Sequence, residues 1–237
     1  MWHPIQPMID FHTHILPAVD DGSSSVGESI SLLEMLKEQG VDKVIATPHF
    51  DPRADTPDEF LKRRNEAMRS LAGAIGDMDL PEIVLGAEVS YFYGISRTRE
   101  LSFLRIEGTK LLLIEMPMSP WSDAMIRELI ELAAYRDFKP VLAHVERYVR
   151  LVPDKAIGKL LDSGILLQIN ASLVNEKRTR RMALRMIKNG SVHFIGSDLH
   201  GLSFRAPKIG EAGKIIENKL GDGFFTRSVS IFEKYKI

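Results

Sequence analysis

Short apolar runs recur along the chain, each closed by turn residues and followed by a longer segment with helical spacing. The runs fall at residues 8–11, 43–46, 83–85, 110–114, 140–143, 165–169 and 193–196. They are apolar at consecutive positions rather than at alternate ones, as expected for strands buried on both faces. Between them, apolar residues three and four apart predict helices over 26–39, 57–74, 123–135, 154–162, 176–189 and 208–220. Residues 89–105 break the rhythm and read as a helix-containing excursion with Tyr91, Phe92 and Tyr93. Strand–helix alternation of this kind predicts an α/β fold with a parallel sheet covered by helices. No glycine-rich dinucleotide fingerprint follows the first strand, so an open nucleotide-binding sheet has little support. Polar residues sit at the ends of nearly every strand, and only a closed barrel brings all those ends to one rim. The expected architecture is a single domain over residues 1–237, a barrel of seven strands, with residues 1–7 as an irregular lead-in in which His3 has no role.

Composition narrows the function. The 237 residues carry a formal net charge of −1 and are 44% hydrophobic, enough for one large core. Such a balance offers no broad basic surface for nucleic acid. No apolar run approaches the ~18 residues of a membrane span, and no export signal is read at the N-terminus. Cysteine is absent, which removes disulfides, thiolate ligands and a cysteine nucleophile. The expected location is cytoplasmic, with no membrane insertion.

Chemistry gathers at the strand ends. His12 and His14 close the first run, and their i, i+2 spacing points both imidazoles the same way. His49, Glu88, Glu115, His144, Asp198 and His200 stand at later ends, with Asp21 in the first loop. Five of the seven histidines belong to this set. Nitrogen and carboxylate donors without thiolates suit Mn, Fe or Zn, and Mg or Ca less well. Nine such donors suit two or three ions, with Glu88 as a shared carboxylate holding two of them close to one bridging hydroxide. Four carboxylates against three divalent cations leave a pocket charge of about +2, which attracts an anionic substrate.

The order of motifs carries a resemblance. His12-Thr13-His14, Asp20-Asp21-Gly22, Thr47-Pro48-His49, Gly86-Ala87-Glu88, Ile114-Glu115, Ala143-His144-Val145-Glu146-Arg147 and Ser197-Asp198-Leu199-His200 are similar to the successive motifs of the PHP (polymerase and histidinol phosphatase) superfamily. Within it the chain most resembles the bacterial metal-dependent protein-tyrosine phosphatases linked to capsular and exopolysaccharide synthesis. The resemblance spans about residues 8–220. It implies a distorted, TIM-like seven-stranded barrel and three divalent ions, Mn first, with Fe, Zn or Mg as alternatives. By resemblance His12, His14, Glu88 and Asp198 hold one ion, Glu88, Glu115 and His144 a second, and Asp21, His49 and His200 a third. It further implies that Arg147 and Arg205 grip phosphoryl oxygens, and that the substrate is a phosphotyrosine protein such as the tail of a tyrosine autokinase. The chain departs from relatives at Phe50, where many have histidine, at Val145, where many have proline, and in a tail without Asn-Pro.

The expected reaction is hydrolysis of a phosphate monoester by a hydroxide bridging two metals. A phosphatase for small molecules such as histidinol phosphate is the alternative. An amidohydrolase also opens with His-x-His, but presents a lysine where this chain has Glu115. Asp10 is either an orienter of His12 or an internal hydrogen-bonding group, Tyr91, Tyr93 and residues 50–56 either shape the rim or pack, and His193 is structural.

Overall fold

In the computed structural model, residues 4, 6–135, 137–149 and 151–237 are described; within the expected lead-in, residues 1–3, His3 included, and 5 lie outside them. The strands are β1 (Ile9–Thr13), β2 (Lys43–Ala46), β3 (His49–Phe50), β4 (Glu82–Leu85), β5 (Glu88–Ser90), β6 (Leu111–Glu115), β7 (Lys139–Leu142), β8 (Leu166–Asn170) and β9 (Phe194–Gly196). The helices are α1 (Val26–Glu38), α2 (Pro57–Ile75), α3 (Asp123–Ala134), α4 (Asp154–Asp162), α5 (Ala171–Asn175), α6 (Arg180–Lys188), α7 (Ile209–Leu220) and α8 (Gly223–Lys234).

Every strand pair is parallel, in the orders β1-β2-β4 and β3-β5-β6-β7-β8-β9. The two groups are one curled sheet. β2 runs into β3 through Thr47-Pro48, and β4 runs into β5 through Gly86-Ala87, so each pair is one kinked strand. At the far edge the Asp198 N–H donates to the His12 carbonyl at 2.9 Å, and the His14 N–H to the Leu199 carbonyl at 3.2 Å. These bonds bring the segment after β9 against β1, so the first and last strand ends share a rim.

Side-chain alternation sorts two apolar layers. Leu112 and Ile114 of β6 face the helices with Leu142, Leu167 and Ile195. Leu111 and Leu113 face the other way, with Ile9, Ile45, Val141, Leu166 and Phe194. Phe11 stacks on Phe194 there at 3.8 Å between ring centroids. Glu115 has the parity of Leu111 and Leu113, so it continues the inner face upward to the rim.

Local chemistry starts the helices where the pattern predicts. Thr56 and Glu59 form a capping box with Pro57 in the first turn of α2, and Ser25 caps α1. The helix expected over 176–189 starts only at Arg180, as α6, and is preceded by a separate short helix, α5. α5 follows β8 directly, and its last carbonyls are taken by side chains: Thr179 Oγ1 donates to Leu173 at 2.8 Å and Arg180 Nε to Val174 at 2.9 Å. A helix in the tail, α8, was not expected. Its Phe232 is buried in the inner layer, and the Lys110 N–H donates to the Tyr235 carbonyl at 2.9 Å. Residues 89–105 hold two 3-10 turns, Ile95–Arg97 and Arg99–Leu104, anchored on α3 by Glu128, which accepts the Gly94 N–H at 2.7 Å. Phe50 is core, edge-on to Phe60 at 5.3 Å.

Gly196 shows how tightly β9 meets β1. A Cβ at this position would lie 2.5 Å from His12 Cβ and 2.9 Å from the His12 backbone nitrogen. We expect Gly196→Ala to lower stability by about 1–3 kcal/mol, because neither strand can give way without displacing the other. Urea unfolding measures it, and an unchanged midpoint would mean that the join is looser than drawn.

Candidate metal centre

All nine candidate ligands lie around one rim. His12 is on β1 and His14 just beyond it, His49 on β3, Glu88 on β5, Glu115 at the end of β6, and His144 two residues past β7. Asp198 and His200 follow β9, and Asp21 approaches from the β1–α1 loop. The pairing of β1 with β2 shifts register between Asp10 and Thr13, and the Nε2 atoms of His12 and His14 end 3.1 Å apart. Their i, i+2 spacing alone does not give that approach.

Glu88 is the hub. Its carboxylate is 1% exposed, with Oε1 2.8 Å from His144 Nε2. Its Oε2 lies 3.1 Å from His12 Nε2, 3.1 Å from His49 Nδ1 and 3.4 Å from His14 Nε2. Asp198 Oδ1 is 3.5 Å from His14 Nε2 and 3.7 Å from His12 Nε2. Glu115 is 3.5 Å from His144 Nε2. Asp21, its side chain 70% exposed, reaches His49 Nε2 and His200 Nε2 at 3.5 Å each. Four overlapping groups of ligand atoms result: His14, Asp21, His49 and His200; His12, Glu88 and His144; His12, His14 and Asp198; His49, Glu88 and Glu115.

Three of the four described non-glycine residues with positive φ belong here: His144 at 30°, Asp198 at 54° and Arg205 at 52°. Each such conformation costs on the order of 1–3 kcal/mol, and here all three side chains lie at the rim, His144 and Asp198 just past strand ends and Arg205 in the loop after β9.

A further ring of groups holds the imidazoles. Asp20 Oδ2 accepts His14 Nδ1–H at 2.6 Å and the His49 backbone N–H at 2.9 Å. That leaves the Nε2 lone pair of His14 facing the cluster. Gln168 Oε1 accepts the His144 backbone N–H at 2.6 Å and lies 3.4 Å from His12 Nδ1. Asn170 Nδ2 donates to Asp198 Oδ2 at 2.8 Å. The Tyr148 hydroxyl is 3.1 Å from His144 Nδ1. Sequence reasoning gave these four no part, although Asp20 lies in the Asp20-Asp21-Gly22 motif and Gln168 and Asn170 share one face of a strand end. Asp10 bonds to backbone rather than to an imidazole, accepting the Ser197 N–H at 2.7 Å. His193 accepts the Leu167 N–H at 3.1 Å, away from the cluster.

The electrostatics are those of an acid-rich pocket. Burial alone raises the Glu88 carboxyl, but the imidazoles of His12, His14 and His144 hold it well below the usual carboxylate range. Asp198, also buried, is held low by His12, His14 and Arg147. Burial disfavours charge on His12, His14 and His49, yet the facing carboxylates raise all three. Burial of His144 and His200 prevails and lowers them. The acids thus favour positive charge at a site where burial alone would disfavour it. Glu88 Oε2 is buried and within 3.4 Å of three imidazole nitrogens, yet in hydrogen-bonding geometry with none. A carboxylate oxygen and several lone pairs meeting at one point suit divalent cations.

Two guanidinium groups flank the cluster. Arg147 Nη2 bonds to Asp198 Oδ2 and its Nη1 lies 3.8 Å from Glu115, while Arg205 Nη1 is 3.6 Å from Asp198. Both line a cavity of about 530 Å³ with Ser172, Asn175 and Lys208. Glu115, Tyr91, Tyr93, Met116 and Met118 line a second cavity of about 420 Å³. Tyr91 is tied to Glu128 at 2.5 Å, whereas Tyr93 is 74% exposed at the rim.

A family model described as capsular polysaccharide synthesis, CpsB/CapC, matches residues 8–232. The tyrosine-protein phosphatase CpsB of Streptococcus agalactiae is 31% identical over 226 residues, which cover 90% of this chain and 91% of that protein. The tyrosine-protein phosphatase YwqE of Bacillus subtilis is 27% identical, over 90% of this chain and 85% of its own. A crystal structure from work on YwqE and on CpsB of Streptococcus pneumoniae, described as unique metal-dependent tyrosine phosphatases, superposes with a TM-score of 0.82 at 25% identity, over 97% of this chain and 96% of the other. A histidinol phosphate phosphatase from Lactococcus lactis, solved with zinc, superposes with a TM-score of 0.57 at 14% identity, over 92% and 94%, and shares the fold alone. Among the described residues no helix is long and apolar enough to cross a membrane.

Proposed function

This chain belongs to the CpsB/CapC family of capsular polysaccharide synthesis, and from that premise we propose that it is a metal-dependent tyrosine-protein phosphatase. The observation that carries the reading is the convergence of five histidines and four acids on one rim around Glu88, whose buried Oε2 has no hydrogen-bond partner among the described residues. Three ions fit the donors, with Mn first: one at His12, His14, Glu88 and Asp198, one at Glu88, Glu115 and His144, and one at Asp21, His49 and His200. When bound, divalent ions supply Lewis acidity toward phosphoryl oxygens and lower the pKa of water from about 15.7 to about 7.

The chain's own groups do the rest. Arg147 and Arg205 present N–H donors from one side of the cluster, where they orient a phosphoryl group and neutralise its oxygens. Glu88 and Asp198 stay ionised under that load because the imidazoles and Arg147 hold their carboxyls low. A tyrosine phenolate leaves with a pKa of about 10, so the site does not depend on a strong proton donor. The two cavities beside the cluster leave room for a protein segment, and the tail of a tyrosine autokinase of polysaccharide export is the partner that the family's role favours. Histidinol phosphate is the weaker candidate, because the likeness to its phosphatase stops at the fold.

Chelation tests the reading. We expect EDTA to abolish hydrolysis of a phosphotyrosine peptide and Mn(II) to restore it, with histidinol phosphate turned over far more slowly. Activity that survives chelation, or a preference for histidinol phosphate, would overturn it. Counting ions per chain by plasma mass spectrometry checks the expected three.

A further inference from the structure

We propose that Tyr148 is a positioning residue of the metal centre, its hydroxyl holding His144 in the tautomer that can accept a cation and tying that imidazole to the strand end that carries Glu115. The proposal rests on the reading that Glu88, Glu115 and His144 hold an ion.

Tyr148 lies one helical turn after His144 and is fully buried, its ring against Trp121 at 5.1 Å between centroids. Its backbone is fixed from both sides: the Tyr148 N–H donates to the Val145 carbonyl at 3.0 Å, and its carbonyl accepts the Leu151 N–H at 2.7 Å. The hydroxyl oxygen accepts the Met116 N–H at 3.1 Å and sits 3.1 Å from His144 Nδ1. Met116 directly follows Glu115, the last residue of β6. One oxygen therefore touches the residue next to one acid of the set and the far nitrogen of its histidine.

The tautomer makes this contact matter. A neutral imidazole binds a cation through one nitrogen only when its proton is on the other. His144 Nε2 faces Glu88 and Glu115, so its proton must move to Nδ1 when a cation is taken up. Among the described residues, Tyr148 Oη is the one side-chain oxygen in hydrogen-bond contact with Nδ1. Without it, loading would leave a buried N–H with no acceptor, which proteins rarely tolerate. A hydroxyl also suits the other state, since it can turn and donate to Nδ1 when the proton returns to Nε2 and faces Glu88 Oε1 at 2.8 Å. Phenylalanine keeps the ring and its packing but can do neither.

The test uses the full chain with Zn(II), a diamagnetic ion, and Mn(II). We expect Tyr148→Phe to weaken binding of the ion that depends on His144 by about 10–100-fold in calorimetric titration. Trp121→Ala, which disturbs the same packing without touching the hydroxyl, should leave that affinity within a few-fold. Nitrogen NMR of Zn(II)-loaded wild type should show His144 protonated at Nδ1, and this readout remains if the variant does not fold. Equal affinities in wild type and Tyr148→Phe, or a His144 protonated at Nε2 in the loaded wild type, would overturn the role of Tyr148. A merely structural tyrosine would lower the melting temperature of both variants and leave affinity and tautomer unmoved. Wild type that takes up neither ion would instead remove the underlying metal reading.

Discussion

Glu88→Gln should lower turnover of a phosphotyrosine peptide by more than about 100-fold, the upper end of what the loss of a group merely supporting a metal ligand costs. Glutamine preserves the shape of the side chain and removes its charge. Glu88 is the only acid in the cluster within 3.5 Å of four histidines, His12, His14, His49 and His144. It takes part in two of the three proposed ion positions, so the variant should also lose most of its bound metal. An amide in this place would turn N–H donors toward imidazole nitrogens that the ions need as lone pairs. Plasma mass spectrometry alongside steady-state kinetics reads both effects. A variant with the full metal complement and near-normal kcat would show that the hub is a packing feature.

Arg147→Ala and Arg205→Ala should each lower kcat/KM by on the order of 10²–10³, the range for removing one donor aimed at developing charge. Metal content should stay close to that of wild type. Arg205 lies 3.6 Å from Asp198, 3.4 Å from both ring nitrogens of His200 and on the Phe204 ring at 5.4 Å, and as a permanent cation it supplies no lone pair to an ion. Arg147 also bonds to Asp198, but that carboxylate keeps the Asn170 amide at 2.8 Å when the guanidinium is removed. Lysine should rescue little in either place, because a point charge cannot offer two parallel donors to a phosphoryl group. If either alanine variant loses metal in proportion to activity, that arginine holds the cluster together instead of gripping substrate.

Much of the rim was legible in the chain because its residues sit at a position that sequence patterns mark well. A buried parallel strand is a run of apolar residues, and the first ionisable residue after it stands near the strand's C-terminal end. His12, His49, Glu88, Glu115, His144 and Asp198 were all found that way. The supporting groups were not. Gln168 and Asn170 lie on a strand that looks like the others, and Tyr148 looks like an ordinary core aromatic until its hydroxyl is seen between Met116 and His144. Phe232 was missed for a similar reason: its partners, among them Ile9, Leu111 and Phe194, lie far away in sequence.

By itself the sequence determined the strand–helix alternation, the parallel sheet and the kinds of donor available, since periodicity and side-chain chemistry are local properties. Only the tertiary structure decided which donors meet. The register shift in β1, the kinks at Thr47-Pro48 and Gly86-Ala87, and the left-handed backbone at His144 and Asp198 set distances of a few ångströms between residues as far apart in sequence as His12 and Asp198. Those distances follow from how the curled sheet closes on itself, which no single stretch of chain encodes.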